Sequence, residues 1–265
     1  MLVRSRTARW AVWAVFAVLV LPLFLLPLGV IAAAAFATNW SGVLPSGPTL
    51  DNFAGMSRGD TLEALRVSMV TAATASVLAL VVGVWSALTA HALGRRGRAV
   101  LDALFMLPVA VPTVVVGLAL LVAFSRPPLL LNGTQTIVIV AHTVLVTAFA
   151  HQSVSAALDR LDPVYAQVAS SLGARPARVL FQVRLPLLLP SLRAAAGLCF
   201  ALSMGELSAT MMLYPPDWTP LPVRIFAATD RGALFSGAAA AIVLMATTLL
   251  VLLALSRVRT RAAHR

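Results

Sequence analysis

Residues 162–190 read DPVYAQVASSLGARPARVLFQVRLPLLLP, a polar, arginine-bearing stretch wedged between two long apolar runs. A connection between two helices needs only a few residues. One this long, carrying helix signals, implies a structured element that grips something soluble. Asp162 is a good N-cap, and Pro163 suits the first helical position. Val164, Val168 and Leu172 fall at i, i+4 and i+8 and form one apolar stripe. Gly173 supplies the stop. Pro176 restarts a helix, although Arg175 before it is a poor cap. Val179, Leu180 and Val183 continue the apolar face until Leu185-Pro186 opens the next run. The spacing predicts helix, glycine turn and helix lying along the membrane surface. An amphipathic helix resting on lipid headgroups would carry the same pattern.

The flanking runs belong to a chain of 265 residues that is 60% hydrophobic and 11% charged, with a mean hydropathy of +0.93. A soluble domain cannot hide that much apolar surface, so the chain is an integral membrane protein. A bilayer core of about 30 Å needs about 20 apolar residues per helix. Six segments qualify: 10–37, 62–90, 100–124, 135–158, 187–213 and 233–256. The fold expected is all-α and transmembrane, one domain over 1–265, with the loop at 159–186. The single cysteine, Cys199, falls inside the fifth segment and excludes an intrachain disulfide. The first run, from Ala11 to Ala37, exceeds the about 7–15 residues of a signal-peptide core and reads as an uncleaved span.

The net charge of +11 invites a nucleic-acid reading, but its placement argues against one. Arg4, Arg6, Arg9, Arg95, Arg96, Arg98, Arg160, Arg175, Arg178, Arg184, Arg257, Arg259, Arg261 and Arg265 share one side of a six-span chain. Arg58, Arg66, Arg126, Arg224 and Arg231 fall on the other. Positive charge stays in the cytosol, so both termini are expected there. Residues 38–61 form the longest outer loop, made irregular by Pro45, Gly47, Pro48, Asn52 and Gly55. The outer loop 214–231 carries Pro215, Pro216, Pro220 and Pro222, which argue against a long helix. Trp218 suits the interface belt.

Inside the spans, Pro108 and Pro112 lie four apart. Each removes a backbone donor, so span three should kink or open, either as a packing kink or along a pathway. Glu206 is the one acidic residue deep in a span, and Ser203, Glu206 and Thr210 share a face of span five. A buried charge normally meets a partner or water. Glu206 is therefore an outer gate or seam residue, or a structural hydrogen bond within the bundle. His142 sits at a similar depth and is a possible partner. His91 and His151, towards cytosolic ends, read as solvated or helix-capping. The chain has no GxxxxGK[ST], HExxH or CxxC, so neither ATP hydrolysis by that loop nor a metal site of those types is expected. Ser203 with His142 lacks the GxSxG context of a serine hydrolase.

The loop residues carry a resemblance. Gln167-Val168-Ala169, three residues, Gly173, nine residues and Val183-Arg184-Leu185-Pro186 resemble the E-A-A-x3-G-x9-I-x-L-P loop of binding-protein-dependent ABC importer permeases. Gln167, Val168 and Val183 replace Glu, Ala and Ile. MLPVAVPTVVVGLALL looks like that family's third span. CFALSMGELSATMML looks like the fifth span of its sulfate, molybdate, iron and phosphonate branch. GELSATMMLYPPDWTPLPVRIFAATDRG most resembles permeases of 2-aminoethylphosphonate importers.

The resemblance implies a six-helix type I permease in a bacterial cytoplasmic membrane. Its implied partners are a second permease copy or paralogue, a cytosolic ABC ATPase carrying ATP and Mg, and an extracytoplasmic binding protein. The chain itself is then not an enzyme and holds no cofactor. Val164, Gln167, Val168, Ala169, Leu172, Gly173, Ala174, Val183, Leu185 and Pro186 are the implied ATPase-coupling residues. Pro108, Pro112, Ser203, Glu206 and Thr210 are expected along the path or gate. Sulfate, molybdate, iron, thiamine or polyamine are alternative substrates. A proton-coupled secondary transporter with Glu206 and His142 as relay is the rival of another class, but it gives no reason for the loop.

Overall fold

The computed structural model describes residues 5–54 and 59–257. Arg4, Arg58, Arg259, Arg261 and Arg265, used above for charge asymmetry, lie outside the described residues, as does Gly55. In chain order the elements are α1 (Arg6–Ala35), β1 (Ala37–Asn39), β2 (Ser46–Pro48), α2 (Asp51–Ala54), α3 (Asp60–Ala92), α4 (Arg95–Ala110) and α5 (Thr113–Ala123). There follow α6 (Gln135–Asp159), α7 (Val164–Ser171), α8 (Pro176–Val179), a π-helical turn (Leu180–Arg184), α9 (Leu185–Met204), α10 (Thr210–Leu213), α11 (Leu221–Asp230) and α12 (Leu234–Arg257). Among the described residues, five helices are long and apolar enough to cross a membrane, or six if α4 and α5 form one bent span.

The described residues fall into two compact units. One holds the N-terminal part up to Leu62 and residues 224–245. Ser5 caps α1 by accepting from Ala8 N at 3.1 Å. The end of α1 leads into an antiparallel hairpin, with Ala37 opposite Pro48 and Asn39 opposite Ser46. Asn52 fastens both, donating to the carbonyls of Ala35 and Ala37 at 3.0 and 2.8 Å. The loop expected to be irregular thus contains a hairpin and a short helix, and within β2 Gly47 takes a positive φ (+70°) where its carbonyl accepts from Thr38 Oγ1 at 3.1 Å.

The other unit spans residues 63–223 and the chain from 246 onward. In lipid both faces of a helix are apolar, so close packing is marked by small residues instead. Helix α3 obeys this: Ala72, Ala75, Ala79, Gly83 and Ala87 are buried on one face. Val77, Val81 and Trp85 are exposed on the other. A Cβ on Gly83 would stand 2.7 Å from Ala150 Cβ, so α3 and α6 touch nearly backbone to backbone. Helices α6 and α9 pack through Val146, Ala150 and Cys199.

Span three opens where Pro108 and Pro112 led one to expect, and α4 and α5 meet at 100° across Val111–Pro112. Two expectations need correction. Span five does not run to Leu213. Helix α9 stops at Met204, and α10 begins only at Thr210. The proline-rich loop at 214–231 still forms a ten-residue helix, α11. It starts after Pro220, and Pro222 falls in its first turn, where no intrahelical donor is missed. Serine and threonine of α3 fasten this loop. Leu221 N donates to Ser68 Oγ at 2.8 Å, and Trp218 Nε1 to Thr71 Oγ1 at 3.0 Å.

Candidate functional site

The loop folds as its local chemistry dictates. Asp162 Oδ1 accepts from Val164 N at 2.9 Å and caps α7. At the other end Gly173 takes φ +82°. Its N–H bonds Ser170 O at 3.0 Å, and Ala174 N bonds Ala169 O at 3.1 Å. This pair of bonds is the glycine-dependent helix stop. Pro176 opens α8, with Arg175 contributing only its carbonyl, to Val179 N at 3.0 Å. Pro186 has no N–H for the carbonyl of Gln182 and crowds it. The turn before it widens, and Leu185 N bonds Leu180 O.

The predicted stripe is on the surface of the described chain. Val164 and Val168 are each 51% exposed and Leu172 82%. Gln167 is exposed, while Ala169, Ala174, Val183, Leu185 and Pro186 are half-buried at its base. Two aromatic residues that pattern reading passed over are also exposed on this loop, Tyr165 and Phe181. The available signal was an unexplained phenylalanine in a polar, arginine-bearing loop.

The second constellation lies where the two broken spans meet. Helix α9 ends at Gly205, and the peptides after it lack helical partners. Glu206 supplies them. Its Oε1 accepts from Ala209 N at 2.8 Å, and its Oε2 accepts from Thr210 N at 2.9 Å and from Thr210 Oγ1 at 2.6 Å. His142 of α6 lies across the break, with Nδ1 2.6 Å from Ser203 Oγ and Nε2 2.8 Å from Thr210 Oγ1. The Thr210 hydroxyl gives its proton to Glu206, so it accepts from His142 Nε2, which leaves Nδ1 to accept from Ser203. His142 and Glu206 themselves stand 3.9 Å apart. They are joined chiefly through Thr210.

On the facing side, Gly117 of α5 lies so close to Ala209 that an added Cβ would be 2.9 Å from its Cα and carbonyl oxygen. A cavity of about 210 Å³ opens here. It is lined by Pro108 and Thr113 from span three, His142 and Phe149 from α6, and Ser203 and Glu206 from span five. The structure thus gathers Pro108, Ser203 and Glu206 around one space, with Pro112 at the bend and Thr210 behind the carboxylate. The walls are mainly apolar, so Glu206 is turned to its own backbone more than to water.

His151, read as solvated or capping, is buried. Its Nδ1 is 2.8 Å from Ser86 Oγ and its Nε2 2.9 Å from Asp102 Oδ1. His91 is 3.0 Å from Asp159 Oδ1. The four-residue spacing of His151, Ser155 and Asp159 puts them on one helix face, but it does not name their partners on α3 and α4. Among the described residues no cluster of three or more His, Cys, Asp or Glu could hold a metal.

Residues 79–264 match the family model described as binding-protein-dependent transport system inner membrane component. The 2-aminoethylphosphonate transport system permease protein PhnV of Salmonella typhimurium is 46% identical over 261 residues, covering 98% of either chain. A crystal structure of a bacterial ABC transporter that imports the acidic polysaccharide alginate shares the fold. It has a TM-score of 0.74 at 16% identity, over 97% of this chain and 96% of that one. The alginate transporter bound to a periplasmic protein carrying alginate pentasaccharide gives a TM-score of 0.72, at 16% identity over 96% and 94%. With five or six candidate spans, an exposed helix-turn-helix loop and a relative matching 98% of its length, this chain belongs to the family of binding-protein-dependent transport system inner membrane components and is a multi-pass permease subunit of an ABC importer.

Proposed function

We propose that this permease carries a small zwitterionic phosphonate, 2-aminoethylphosphonate, across the cytoplasmic membrane. The observation that carries this reading is identity to a 2-aminoethylphosphonate permease at 46% along 98% of the chain. One chain supplies half a pathway, so a second permease copy or paralogue completes it. Tyr165, Val168, Leu172 and Phe181 dock on a cytosolic ATPase, which holds ATP and Mg and performs the hydrolysis. An extracytoplasmic binding protein delivers the solute to the outer mouth. Both termini and the loops at 95–98 and 159–184 face the cytosol. This chain needs no cofactor of its own. The Glu206 junction works as a gate: two interrupted spans, hinged at Pro112 and Gly205, can part without breaking regular helix.

The test is uptake. Cells lacking their own phosphonate import should take up labelled 2-aminoethylphosphonate when given the permease, ATPase and binding protein together. Uptake should survive collapse of the proton gradient while ATP is maintained, which a proton-coupled carrier would not allow. Unchanged growth on 2-aminoethylphosphonate, with rescue by sulfate, molybdate or a polyamine instead, would reassign the substrate.

A further inference from the structure

Asp159 closes α6 three positions before Asp162, the cap of the coupling helix. Its carboxylate is held by Arg98 in the first turn of α4, through parallel bonds from Nη1 to Oδ1 at 2.9 Å and from Nη2 to Oδ2 at 2.7 Å. His91, at the end of α3, lies 3.0 Å from the same Oδ1. A second line runs inward from Arg98. Its Nε is 3.6 Å from Asp102 Oδ2, and Asp102 Oδ1 is 2.9 Å from His151 Nε2. His151 stacks on Phe105 with ring centres 4.8 Å apart. The His151 side chain is 3% exposed, whereas those of Arg98 and Asp159 are 32% and 49% exposed.

From the clasp at Arg98 helix α4 runs to Pro108, about 15 Å at the helical rise. Beyond Pro108 come the break at Val111–Pro112 and the Glu206 cavity. A two-bond guanidinium–carboxylate fork fixes direction as well as distance. Being half in water, it adds little to folding stability. Movement of α7 reaches Asp159 through the chain, but it reaches α4 only through a contact between helices.

We infer that Arg98 and Asp159 are positioning residues that transmit motion of the coupling helix through α4 to the hinge beside Glu206. The inference rests on the reading that α7 docks on an ATPase. With the clasp intact, α4 follows the loop and the hinge opens. With it cut, the ATPase stays docked while the gate no longer responds.

The experiment uses the whole transporter in lipid nanodiscs and proteoliposomes, with 2-aminoethylphosphonate as the probe. Arg98→Ala, Asp159→Asn and the double variant should keep the ATPase subunit bound and its basal hydrolysis unchanged. Stimulation by loaded binding protein, and uptake, should fall about tenfold. The double variant should be no worse than either single one, since both cut the same link. On a Thr113→Cys background, the ATP-dependent change in thiol labelling should disappear. If Arg98→Ala does not accumulate, Arg98→Lys retains the charge without the fork and should show the same loss. Stimulated uptake at the unsubstituted level, additive losses in the double variant, or release of the ATPase would each overturn the inference. If Leu172→Glu leaves the ATPase bound, the docking reading itself fails, and this inference with it.

Discussion

Glu206 looks from sequence like a charge awaiting a partner, and in the structure its partners are the peptides just after it. Two backbone N–H groups and one hydroxyl occupy its two oxygens, so the carboxylate builds the break that it lines. Glu206→Gln keeps the shape but turns an amide donor towards a backbone donor. A hydrogen bond to a charged group is worth roughly 1.5–3 kcal/mol, and most of one should be lost, loosening residues 205–209. The expected result is uptake at least about tenfold lower, because the loss falls on the proposed gate. Subunit assembly should be normal and ATP hydrolysis uncoupled from the binding protein. Uptake at the unsubstituted rate would show that the charge is incidental.

Among the elements, the loop at 162–186, proposed to dock on the ATPase, depends on one backbone conformation. Gly173 has φ +82°, and an added Cβ there would meet nothing within 4 Å. Substitution therefore acts through the backbone, not through a clash. The left-handed region costs most residues about 1–2 kcal/mol, while asparagine tolerates it. Gly173→Asn should retain the ATPase nearly as the parent does. Gly173→Val should weaken retention about tenfold while inserting normally. Gly173→Asp, similar in shape to Asn, isolates the effect of placing charge beside the stripe and should release the ATPase. Pull-down from solubilised membranes ranks the three. Equal retention by all of them would mean that the turn is not part of the docking surface.

At the scale of the molecule, the number of crossings hangs on the 100° bend between α4 and α5. A re-entrant pair would put the ends of α3 and α6 on opposite sides of the membrane. Asp159 at the end of α6 bonds both Arg98 and His91, so those ends share one side and the bent pair crosses. The arginine distribution predicts that this side is the cytosolic one. Val43→Cys and Asp217→Cys should accordingly react with an impermeant thiol reagent in intact cells, and Arg178→Cys should not. Val43 is a better probe than Gly47, whose substitution would run into Thr38 Oγ1. The native thiol, Cys199, is buried and adds little background. Labelling at position 178 from outside would invert the topology.

The sequence alone determined whatever local chemistry controls. Bilayer thickness selects apolar runs of span length, and the Asp162 cap, the Gly173 stop and Pro176 act within a turn or two of themselves. The loop could therefore be read from residue to element. Pro108 and Pro112 announced a break, although not its angle, which depends on what α5 packs against. The tertiary structure decided the rest. His142 meets Ser203 and Thr210 from 61 and 68 positions away, and Arg98 meets Asp159 from 61 away. No periodicity points to such pairs, because in lipid the apolar character of a helix does not say which face is covered. Facing is set by where small residues let backbones approach, as Gly83 does at Ala150 and Gly117 at Ala209, and by the cost of leaving a polar group without a partner inside the bilayer.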